Sequence, residues 1–397
     1  MTRRFSPKPP WLKVRAPGGD TYHGLKKTLR QLDLYTVCEE ARCPNVGECW
    51  REGTATVMLL GDVCTRGCRF CAVTTGNPRG AVDPREPEHV ARAIASMGLT
   101  YVVMTMVNRD DMLDGGAGHV AATVERLKEL RDDILIETLV GDFQGHMSSV
   151  DTVVDAAPHV FAHNVEVTRG LSRKIRDVRC GYDQTLDVLK RAKDRAPERL
   201  TKSSIMVGIG ERDEEVLETM RDLRAAGVDI VTLGQYLRPS PKHAPVDRYV
   251  TPEAFGVYRQ EGQAMGFAYT ASGPLVRSSY KAAEVFVRSV LLGPDADDAE
   301  AERMVQERVT RARAAAAEVL RQSAGDGGAP PERRPAVRHA AVPTDAVATG
   351  AGLTEAHLAA QLVADRRQPG SAGPGSAGFS GSFVPAERLV RRPAAEA

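Results

Sequence analysis

The chain has 397 residues, of which 42% are hydrophobic and 26% are charged, and its net charge at pH 7 is +1. This length suits one large or two ordinary domains, and the balanced charge does not favour nucleic acid or an acidic membrane as a partner. The sequence contains neither a secretory signal nor an apolar run of membrane-spanning length, so we expect a cytoplasmic protein with reduced thiols.

The N-terminal part of the chain carries a first group of cysteines. A basic lead segment with one short predicted helix, Leu25–Leu34, precedes Cys38, Cys43 and Cys49. These thiols lie in a loop-like context without a local fourth ligand. On residue chemistry alone, they indicate either an iron–sulfur cluster or a small structural zinc site that takes a ligand from elsewhere in the chain.

A second group follows the β-prone run Ala55–Leu60, so a loop leaving the first strand carries Cys64, Cys68 and Cys71. Three thiolates on one loop can hold three corners of an iron–sulfur cube and leave the fourth iron open. Zinc would need a fourth ligand, and no nearby His or Cys completes a zinc-ribbon spacing. The loop therefore predicts an open iron–sulfur site, with zinc as the alternative.

From Ala55 onward, strand patterns alternate with helical patterns. The predicted strands are Ala55–Leu60, Tyr101–Val107, Ile134–Leu139, Val160–Val165, Ser203–Val207 and Ile230–Leu233. The predicted helices between them are Glu86–Met97, Val120–Arg131, Gln184–Lys193 and Glu214–Ala226. This alternation predicts an α/β fold with a parallel sheet of six units, either open or closed as a barrel. In such folds the functional site lies at the carboxyl ends of the strands.

Polar side chains occur near the ends of two predicted strands. Asn164 and Glu166 share one face of the fourth strand and are expected to point into the mouth of the sheet, whereas His163 faces the other way and is expected to be packed. Glu137, near the end of the third strand, is either a polar contact for a ligand or a carboxylate that faces a helix.

Glycine-bearing loops follow two of the predicted strands. Gly115 and Gly116 come after the second strand, and Gly208 and Gly210 come after the fifth. Such glycines permit either close approach of the backbone to a cofactor or a tight strand-to-helix turn, and the residues alone leave both alternatives open.

The composition changes after the predicted sheet. No lysine follows Lys281, and Asp295–Ala324 has the pattern of a charged, alanine-rich helix. From residue 325 onward Gly, Pro, Ala, Ser and Arg dominate, which predicts a mostly disordered tail with at most one short helix, Leu353–Arg366. The predicted domain organisation is an N-terminal extension (1–54), a sheet region with its closing segment (55–292), a charged helix (293–324) and the tail (325–397).

Two further features have no role that residue chemistry alone assigns. Cys180 is remote in sequence from both cysteine groups and is expected to be a buried free cysteine. Arg277-Ser278-Ser279-Tyr280 is a polar turn before a helical pattern.

Taken together, these motifs resemble the lipoyl synthase family of radical S-adenosylmethionine (SAM) enzymes. The likeness runs from about Lys8 to Val290 and rests on both cysteine spacings and on Arg277-Ser-Ser-Tyr280. Further matching runs are Asn108–Asp111, Asp114–Gly116, Ile136–Leu139, His163–Glu166 and Leu233–Pro239. The chain departs from the family pattern at Val167–Ser172, and Cys180 has no counterpart in the family.

The resemblance implies the radical SAM form of the fold, a partial (β/α)6 TIM-type barrel preceded by a cluster-binding extension. It also implies two 4Fe–4S clusters and SAM as cofactors. Cys64, Cys68 and Cys71 would hold the cluster whose open iron binds SAM. The auxiliary cluster would be held by Cys38, Cys43, Cys49 and a serine, Ser279 rather than Ser278. The SAM contacts implied by the resemblance are Asn164, Glu166, Gly115, Gly116 and Glu137.

The implied reaction inserts two sulfur atoms at carbons 6 and 8 of a protein-bound octanoyl-lysine, with the auxiliary cluster as the sulfur source. The implied partners are octanoylated carriers (2-oxoacid dehydrogenase acyltransferase subunits and the glycine cleavage H protein), an electron donor of the flavodoxin or ferredoxin type, and a cluster-assembly carrier. Two alternatives are another sulfur-inserting enzyme of the superfamily and a zinc-stabilised binding protein without catalysis.

Overall fold

A sheet of seven parallel strands organises the described part of the chain. The computed structural model describes residues 8–13, 36, 45–51, 54–279 and 298–325. Cys38, Cys43, Tyr280, the predicted helices at 25–34 and 353–366, and the predicted tail beyond residue 325 lie outside the described residues.

The strands of the main sheet follow one another in chain order. They are β1 (Thr54–Leu59), β4 (Tyr101–Met106), β5 (Leu135–Leu139), β6 (Val160–Ala162), β7 (Leu200–Val207), β8 (Ile230–Gln235) and β9 (Tyr269–Gly273). The short strands β2 (Val63–Cys64) and β3 (Thr74–Thr75) pair separately. All these pairings are parallel, so the carboxyl ends of the main strands meet at one edge.

Helices connect the strands, as parallel pairing requires. They are α1 (Val46–Arg51), α2 (Glu86–Ser96), α3 (Ala117–Leu130), α4 (Met147–Asp155), α5 (Arg169–Ile175), α6 (Tyr182–Arg195), α7 (Asp213–Ala225), α8 (Pro252–Ala264) and α9 (Asp298–Gly325). None of the helices in these ranges is long and apolar enough to cross a membrane.

The two faces of the sheet bury different side chains. Val102 and Met104 of β4 pack with residues of α2 and α3 in the main core. Tyr101 and Val103 of the same strand belong to a separate cluster with Leu135 and Val160, which contains no helix residue. The strands are therefore buried on both faces, and every residue of β1 is buried, including its two threonines.

The six predicted strands are present, and β9 adds a seventh. The residues of β9, Tyr-Thr-Ala-Ser-Gly, are small or polar and give no apolar pattern in the sequence. The strand forms because α8 packs closely on it: a Cβ at Gly262 would lie 2.3 Å from the Thr270 hydroxyl. Close packing against α8, rather than local hydrophobicity, therefore stabilises this strand.

Strand β6 is shorter than predicted and ends at Ala162. Beyond this point the amide of Val165 donates to the Ser203 hydroxyl at 3.0 Å, so a side-chain oxygen of β7 accepts this bond in place of a backbone carbonyl. Pairing resumes as a single bridge between Glu166 and Ile205. The alternating pattern predicted that Asn164 and Glu166 lie on one face of this strand, whereas both residues lie beyond its end.

The predicted charged helix is present as α9 and packs against α2. Its buried residues include Val309, Ala312 and Ala316. Gly98, at the end of α2, has φ +65 and lies against Arg313, where a Cβ would come within 3.2 Å of the backbone. The small alanines and this glycine allow the close approach of the two elements.

Candidate metal centre and cofactor site

The second cysteine group lies at the carboxyl edge of the sheet, directly after β1. Cys64, Cys68 and Cys71 are half-buried free thiols. Burial raises the pKa of Cys71 to about 11, and the negative charges of Cys64 and Glu166 add to the increase. The loop thus follows the first strand as predicted, and Cys71 lies near enough to Glu166 for their charges to interact.

The loop after β4 holds the cysteine loop from one side. Both the amide and the hydroxyl of Thr65 donate to the Asn108 carbonyl at 3.0 Å, and the Asp110 amide donates to the Thr65 hydroxyl at 3.1 Å. Arg109, almost fully buried, donates to the Leu60 and Ala81 carbonyls. The run 108–111 therefore supports the cysteine loop through its backbone and side chains.

Arg66 anchors the cysteine loop from within. Its guanidinium, only 3% exposed as a residue, donates to Asp142 at 2.7 Å and to Asp110 at 2.9 Å. Burial opposes the charge on Asp142 and raises its pKa, but the hydrogen bond and charge of Arg66 outweigh burial, so the pKa lies below its ordinary value. Both partners of this pair therefore stay charged in the interior.

The segment after α5 holds the cysteine loop from a second side. The Arg69 amide donates to the Ile175 carbonyl at 2.8 Å, and the Gly67 amide donates to the Asp177 carboxylate at 2.8 Å. The Asp177 amide in turn donates to the Cys68 sulfur at 3.3 Å. Arg179 closes the contact by donating to the Thr65 carbonyl at 2.6 Å. Backbone donors thus fix both the loop and one of its sulfur atoms.

Cys180 lies beside the cysteine loop, although it is remote from it in sequence. Its sulfur accepts a hydrogen bond from Arg66 at 3.2 Å and shares another with the Cys68 thiol. The hydrogen bond with Cys68 lowers the pKa of Cys180, and the cations of Arg176 and Arg66 lower it further. The expected buried free cysteine is confirmed, but its location next to Cys68 was not predicted.

A third segment, residues 240–244, covers the remaining side of the loop. The Ala244 amide donates to the Arg69 carbonyl at 2.8 Å, and the Nε2 atom of His243 lies 2.9 Å from the Cys71 carbonyl oxygen. Phe70, the aromatic residue between the last two cysteines, packs with Tyr236 and Ala244. The motif's aromatic residue therefore serves as the apolar anchor of the loop.

Asn164 and Glu166 reach the same site from the end of β6. Glu166 has a left-handed φ of +66, held by the bond from its amide to the Ser204 carbonyl at 3.0 Å and by the bond from the Met206 amide to its own carbonyl at 2.8 Å. Burial raises the pKa of its carboxylate, which lies near Cys71. The amide oxygen of Asn164 is buried and meets no donor among the described residues.

Glu137 is placed differently from these two residues. Its carboxylate is fully buried and accepts hydrogen bonds from Lys202 at 2.8 Å and from the Tyr101 hydroxyl at 2.8 Å. Burial, followed by the charge of Glu137, raises the pKa of Tyr101 well above its ordinary value. Both acidic oxygens already have protein donors.

His163 is packed against the helical layer, as predicted. Its ring nitrogens lie 2.8 Å from the Val140 carbonyl and 3.2 Å from the Thr185 hydroxyl of α6. Burial lowers its pKa to about 4. The residue is therefore a neutral, structural histidine at neutral pH.

The glycines of the two candidate loops make tight turns. Gly116 has φ +89, and a Cβ there would lie 2.4 Å from the Leu60 side chain. Asp114 accepts hydrogen bonds from the amides of Gly116 and Gly118 at 2.9 Å each. In the other loop the Glu211 carboxylate accepts from the Gly208 amide at 2.6 Å. These contacts account for the glycines by turn geometry and packing.

Of the first cysteine group, Cys49 lies within the described residues and is buried in α1. The side chain of Asn45 donates to the Leu275 carbonyl at 2.6 Å, which joins this region to the segment that leads to Ser278 and Ser279. Both serines are half-buried.

The donor set of the cysteine loop fits an iron–sulfur cluster. Among the described residues, no three His, Cys, Asp or Glu side chains converge as the ligands of a single metal ion do. The three thiols of the loop instead form a set of separate soft ligands, each able to bind a different iron of a cube. The N–H···S bond to Cys68 is the outer-shell contact that such sulfurs commonly accept.

Sequence reasoning missed the residues that hold this loop in place. They are Arg66, Asp142, Asp177, Arg179 and Cys180. The one signal that the sequence offers is the position of Arg66 inside the cysteine motif. Asp142 follows β5, whereas Asp177, Arg179 and Cys180 follow α5, and the two segments meet Arg66 only in the fold.

Two family models match the chain. The radical SAM superfamily matches residues 58–223, and the N-terminal domain of lipoyl synthase of the radical SAM family matches residues 3–43. The first range contains the cysteine loop together with Asn164 and Glu166, and the second contains Cys38 and Cys43. Radical SAM membership implies a 4Fe–4S cluster and SAM.

Several curated proteins are close in sequence. The lipoyl synthase of Sorangium cellulosum is 68% identical over 83% of this chain and 94% of its own, and that of Thermus thermophilus is 58% identical over 71% and 87%. A mitochondrial lipoyl synthase of Sorghum bicolor is 55% identical over 73% and 76%.

Among solved structures, the FeFe-hydrogenase maturase HydG from Carboxydothermus hydrogenoformans aligns with 62% of this chain and 64% of its own at 13% identity and a TM-score of 0.44, a likeness too remote to inform the chemistry. The sequence matches, by contrast, span most of both chains. By these matches the chain belongs to the lipoyl synthase family, whose radical SAM enzymes insert sulfur into a protein-bound octanoyl chain to form the lipoyl group.

Proposed function

We propose that Cys64, Cys68 and Cys71 hold the radical-generating 4Fe–4S cluster, and that Cys38, Cys43, Cys49 and Ser279 hold a second cluster that supplies sulfur. The observation that carries the first assignment is the set of three free thiols on a loop fixed from three sides, with Glu166 beside it. A cluster held by Cys64, Cys68 and Cys71 would supply the electron for the cleavage of SAM, and so the radical chemistry that acts on the octanoyl chain.

Asn164 and Glu166 are proposed to contact SAM. A buried acceptor without a donor costs free energy, so the amide oxygen of Asn164 favours a ligand that donates to it. SAM offers an ammonium group and hydroxyls as such donors. The left-handed backbone of Glu166 adds support because strained non-glycine residues tend to occur at functional sites.

The other proposed SAM contacts have weaker structural support. The turn geometry of Gly115 and Gly116 is explained by their packing on Phe143 and Leu60, although their backbone remains close to the end of β1. Glu137 already has both carboxylate oxygens paired with Lys202 and Tyr101. We therefore place Asn164 and Glu166 ahead of these three residues as SAM contacts.

The proposal for the auxiliary site rests on a contact between the two segments that carry its ligands. Asn45, which lies between Cys43 and Cys49, donates to the Leu275 carbonyl, and Ser279 follows four residues later. This contact brings the cysteine-bearing segment and the serine-bearing segment into one region. A serine oxygen is a poor partner for soft iron, and a weakly held iron suits a cluster that is dismantled to release sulfur.

The substrate is a lipoyl-carrier protein with an octanoylated lysine. We propose that the carriers include the acyltransferase subunits of 2-oxoacid dehydrogenases and the glycine cleavage H protein, and that a flavodoxin or ferredoxin supplies electrons. We also propose that a cluster-assembly carrier rebuilds the auxiliary cluster. A reducing compartment such as the cytoplasm suits the free thiols of the cysteine loop.

Anaerobic turnover tests this assignment. The reconstituted protein is incubated with SAM, dithionite and an octanoyl-lysine peptide, and 5′-deoxyadenosine and dithiolated peptide are quantified by mass spectrometry. Two cubes predict about eight irons per chain. Formation of 5′-deoxyadenosine without any dithiolated peptide would contradict sulfur insertion, whereas a colourless zinc protein would contradict both clusters.

The serine ligand has a separate test with a matched control. Ser279→Ala should still cleave SAM but form little lipoyl product, because only the auxiliary cluster loses a ligand. Ser278→Ala is the control and should retain product formation. An unchanged lipoyl yield in Ser279→Ala removes this serine from the ligand set.

A further inference from the structure

Four exposed cations surround the outer side of the cysteine loop. Arg69 lies within the loop itself, Arg173 and Lys174 form the last turn of α5, and Lys242 belongs to the segment over the loop. We name Arg69, Arg173, Lys174 and Lys242, together with Val178, the cationic rim.

Hydrogen bonds connect the cationic rim to the cysteine loop. The side chain of Arg69 donates to the Lys174 carbonyl at 3.2 Å, and its backbone is bonded on one side to Ile175 and on the other to Ala244. The segments that carry Lys174 and Lys242 therefore flank the same loop residue. Each rim cation lies within a few residues of a backbone contact to the loop that holds the three thiols.

None of the four cations has a carboxylate within ion-pair distance in the described part of the chain. Helix α6 provides the contrast, since all four of its cations are paired with aspartates: Lys190 with Asp194, Arg191 with Asp151, Lys193 with Asp229 and Arg195 with Asp155. The rim thus carries positive charge that the described residues do not neutralise.

Nearby acidic groups do not cancel this charge. Asp177 is engaged by Arg179 at 2.8 Å, and Asp110 is shared between Arg66 and Arg179. Asp62, which precedes the loop, is the exposed carboxylate closest in sequence to the first thiol. Glu215 of α7 is a second nearby carboxylate, and its pKa is lowered by the Arg212 amide and, more weakly, by the charge of Lys174. The four cations outnumber these two carboxylates, which leaves an excess of positive charge around the loop.

An exposed apolar side chain lies within the same surface. Val178 is 84% exposed, on the segment whose neighbouring residue Asp177 donates its amide to Cys68. An apolar contact surrounded by charges is the usual composition of a small, transient protein interface. The surface is thus suited to a brief encounter with an acidic protein.

We propose that the cationic rim is the docking surface for an acidic one-electron donor protein that reduces the cluster held by Cys64, Cys68 and Cys71. This inference rests on the proposed function, because the electron must reach that cluster. Opposite charges steer such an encounter and raise its rate. The thiols are half-buried, and Arg69 of the rim belongs to the same loop as they do. An octanoylated carrier is the competing occupant.

The test compares two double variants with the same change in net charge. Arg173→Glu/Lys174→Glu reverses two charges of the rim. Arg221→Glu/Arg311→Glu reverses two exposed cations on α7 and α9 that have no carboxylate within ion-pair distance among the described residues. Both chains are reconstituted, and iron content and circular dichroism are checked. Cluster reduction is then followed by anaerobic stopped-flow absorbance with flavodoxin hydroquinone or with dithionite.

The rim variant should be reduced by flavodoxin at least about tenfold more slowly than the control at low ionic strength, and the difference should shrink as salt is added. Reduction by dithionite and the SAM cleavage that dithionite drives should stay within about twofold of the control, because a small reductant does not need the protein surface.

Other results overturn the proposal in distinguishable ways. Equal flavodoxin rates in the two variants reject the docking surface while leaving the proposed function intact. Equal flavodoxin rates with a raised KM for an octanoylated carrier assign the rim to the carrier instead. A wild-type chain that binds no iron–sulfur cluster rejects the proposed function and the docking surface together.

Discussion

The guanidinium of Arg66 donates to the carboxylate of Asp142 at 2.7 Å, and both side chains are buried beneath the cysteine loop. Arg66 lies between the short strands β2 and β3, and Asp142 comes from the loop after β5. This ion pair therefore joins the thiol-bearing loop to a distant strand end, across the edge where the site lies. Its loss should loosen the loop before it affects the rest of the sheet.

Asp142→Ala should lower the free energy of local unfolding of the cysteine loop by about 3 kcal/mol, because Arg66 keeps its charge in the interior with one partner fewer. Hydrogen exchange of the loop amides measures this change. The control is Asp183→Ala, which removes an exposed partner of Arg169 and should cost less than about 1 kcal/mol. Equal costs for the two variants would contradict an anchoring role for Asp142.

Cys180→Ala should leave the iron content of the reconstituted protein unchanged. Its sulfur is held by Arg66 and Cys68 outside the three-thiol loop, so it is not needed as a ligand. Cys68→Ala is the matched comparison and should lose the radical-generating cluster. Iron analysis and electron paramagnetic resonance of the reduced proteins distinguish the two; an equal loss of iron would make Cys180 a ligand.

Lys202→Met should destabilise the protein by about 3–5 kcal/mol, because it leaves the buried Glu137 carboxylate without its cation. Replacing both partners, as Glu137→Leu/Lys202→Met, should recover much of this loss, since no unpaired charge remains. Urea denaturation of the single and double variants measures the difference.

The same double variant also tests whether Glu137 contacts SAM. If its carboxylate serves only Lys202 and Tyr101, the Kd for SAM, measured by equilibrium dialysis with the cluster-loaded protein, should stay within about threefold of wild type. A rise of tenfold or more, about 1.4 kcal/mol, would restore Glu137 to the cofactor contacts.

Acid should weaken the fold through His163. Burial lowers its pKa to about 4 in the folded state from about 6.5 in the unfolded chain. Its contribution is therefore complete above pH 6.5 and is lost as the pH falls from 6.5 toward 4, by about 1.4 kcal/mol for each pH unit. Urea unfolding at pH 7.5 and 5.5 measures this loss.

His163→Gln should reduce that pH dependence without removing it. Glutamine does not titrate, while His159, whose pKa is likewise lowered to about 4 by burial, keeps its own contribution. The variant His159→Gln should reduce the slope by a similar amount, and the double variant should flatten it further. An unchanged slope in His163→Gln would indicate that the residue has the same pKa in the folded and unfolded protein.

The sequence by itself determined the order of the elements and the chemistry of the thiols. Six of the seven main strands were predicted, because parallel strands buried on both faces carry apolar runs that remain visible without a structure. The spacing of Cys64, Cys68 and Cys71 similarly indicates an open cluster, since ligand number and softness are properties of the residues themselves.

Tertiary structure alone decided which residues support that chemistry. Strand β9 and the early end of β6 depend on packing against α8 and on the Ser203 hydroxyl, neither of which has a local pattern. Asp142 and Cys180 meet Arg66 across separations of 76 and 114 residues. The partners of the Glu137 carboxylate, Lys202 and Tyr101, likewise come from other strands. Ionic and thiol contacts between loops have no sequence period, so only the fold reveals them.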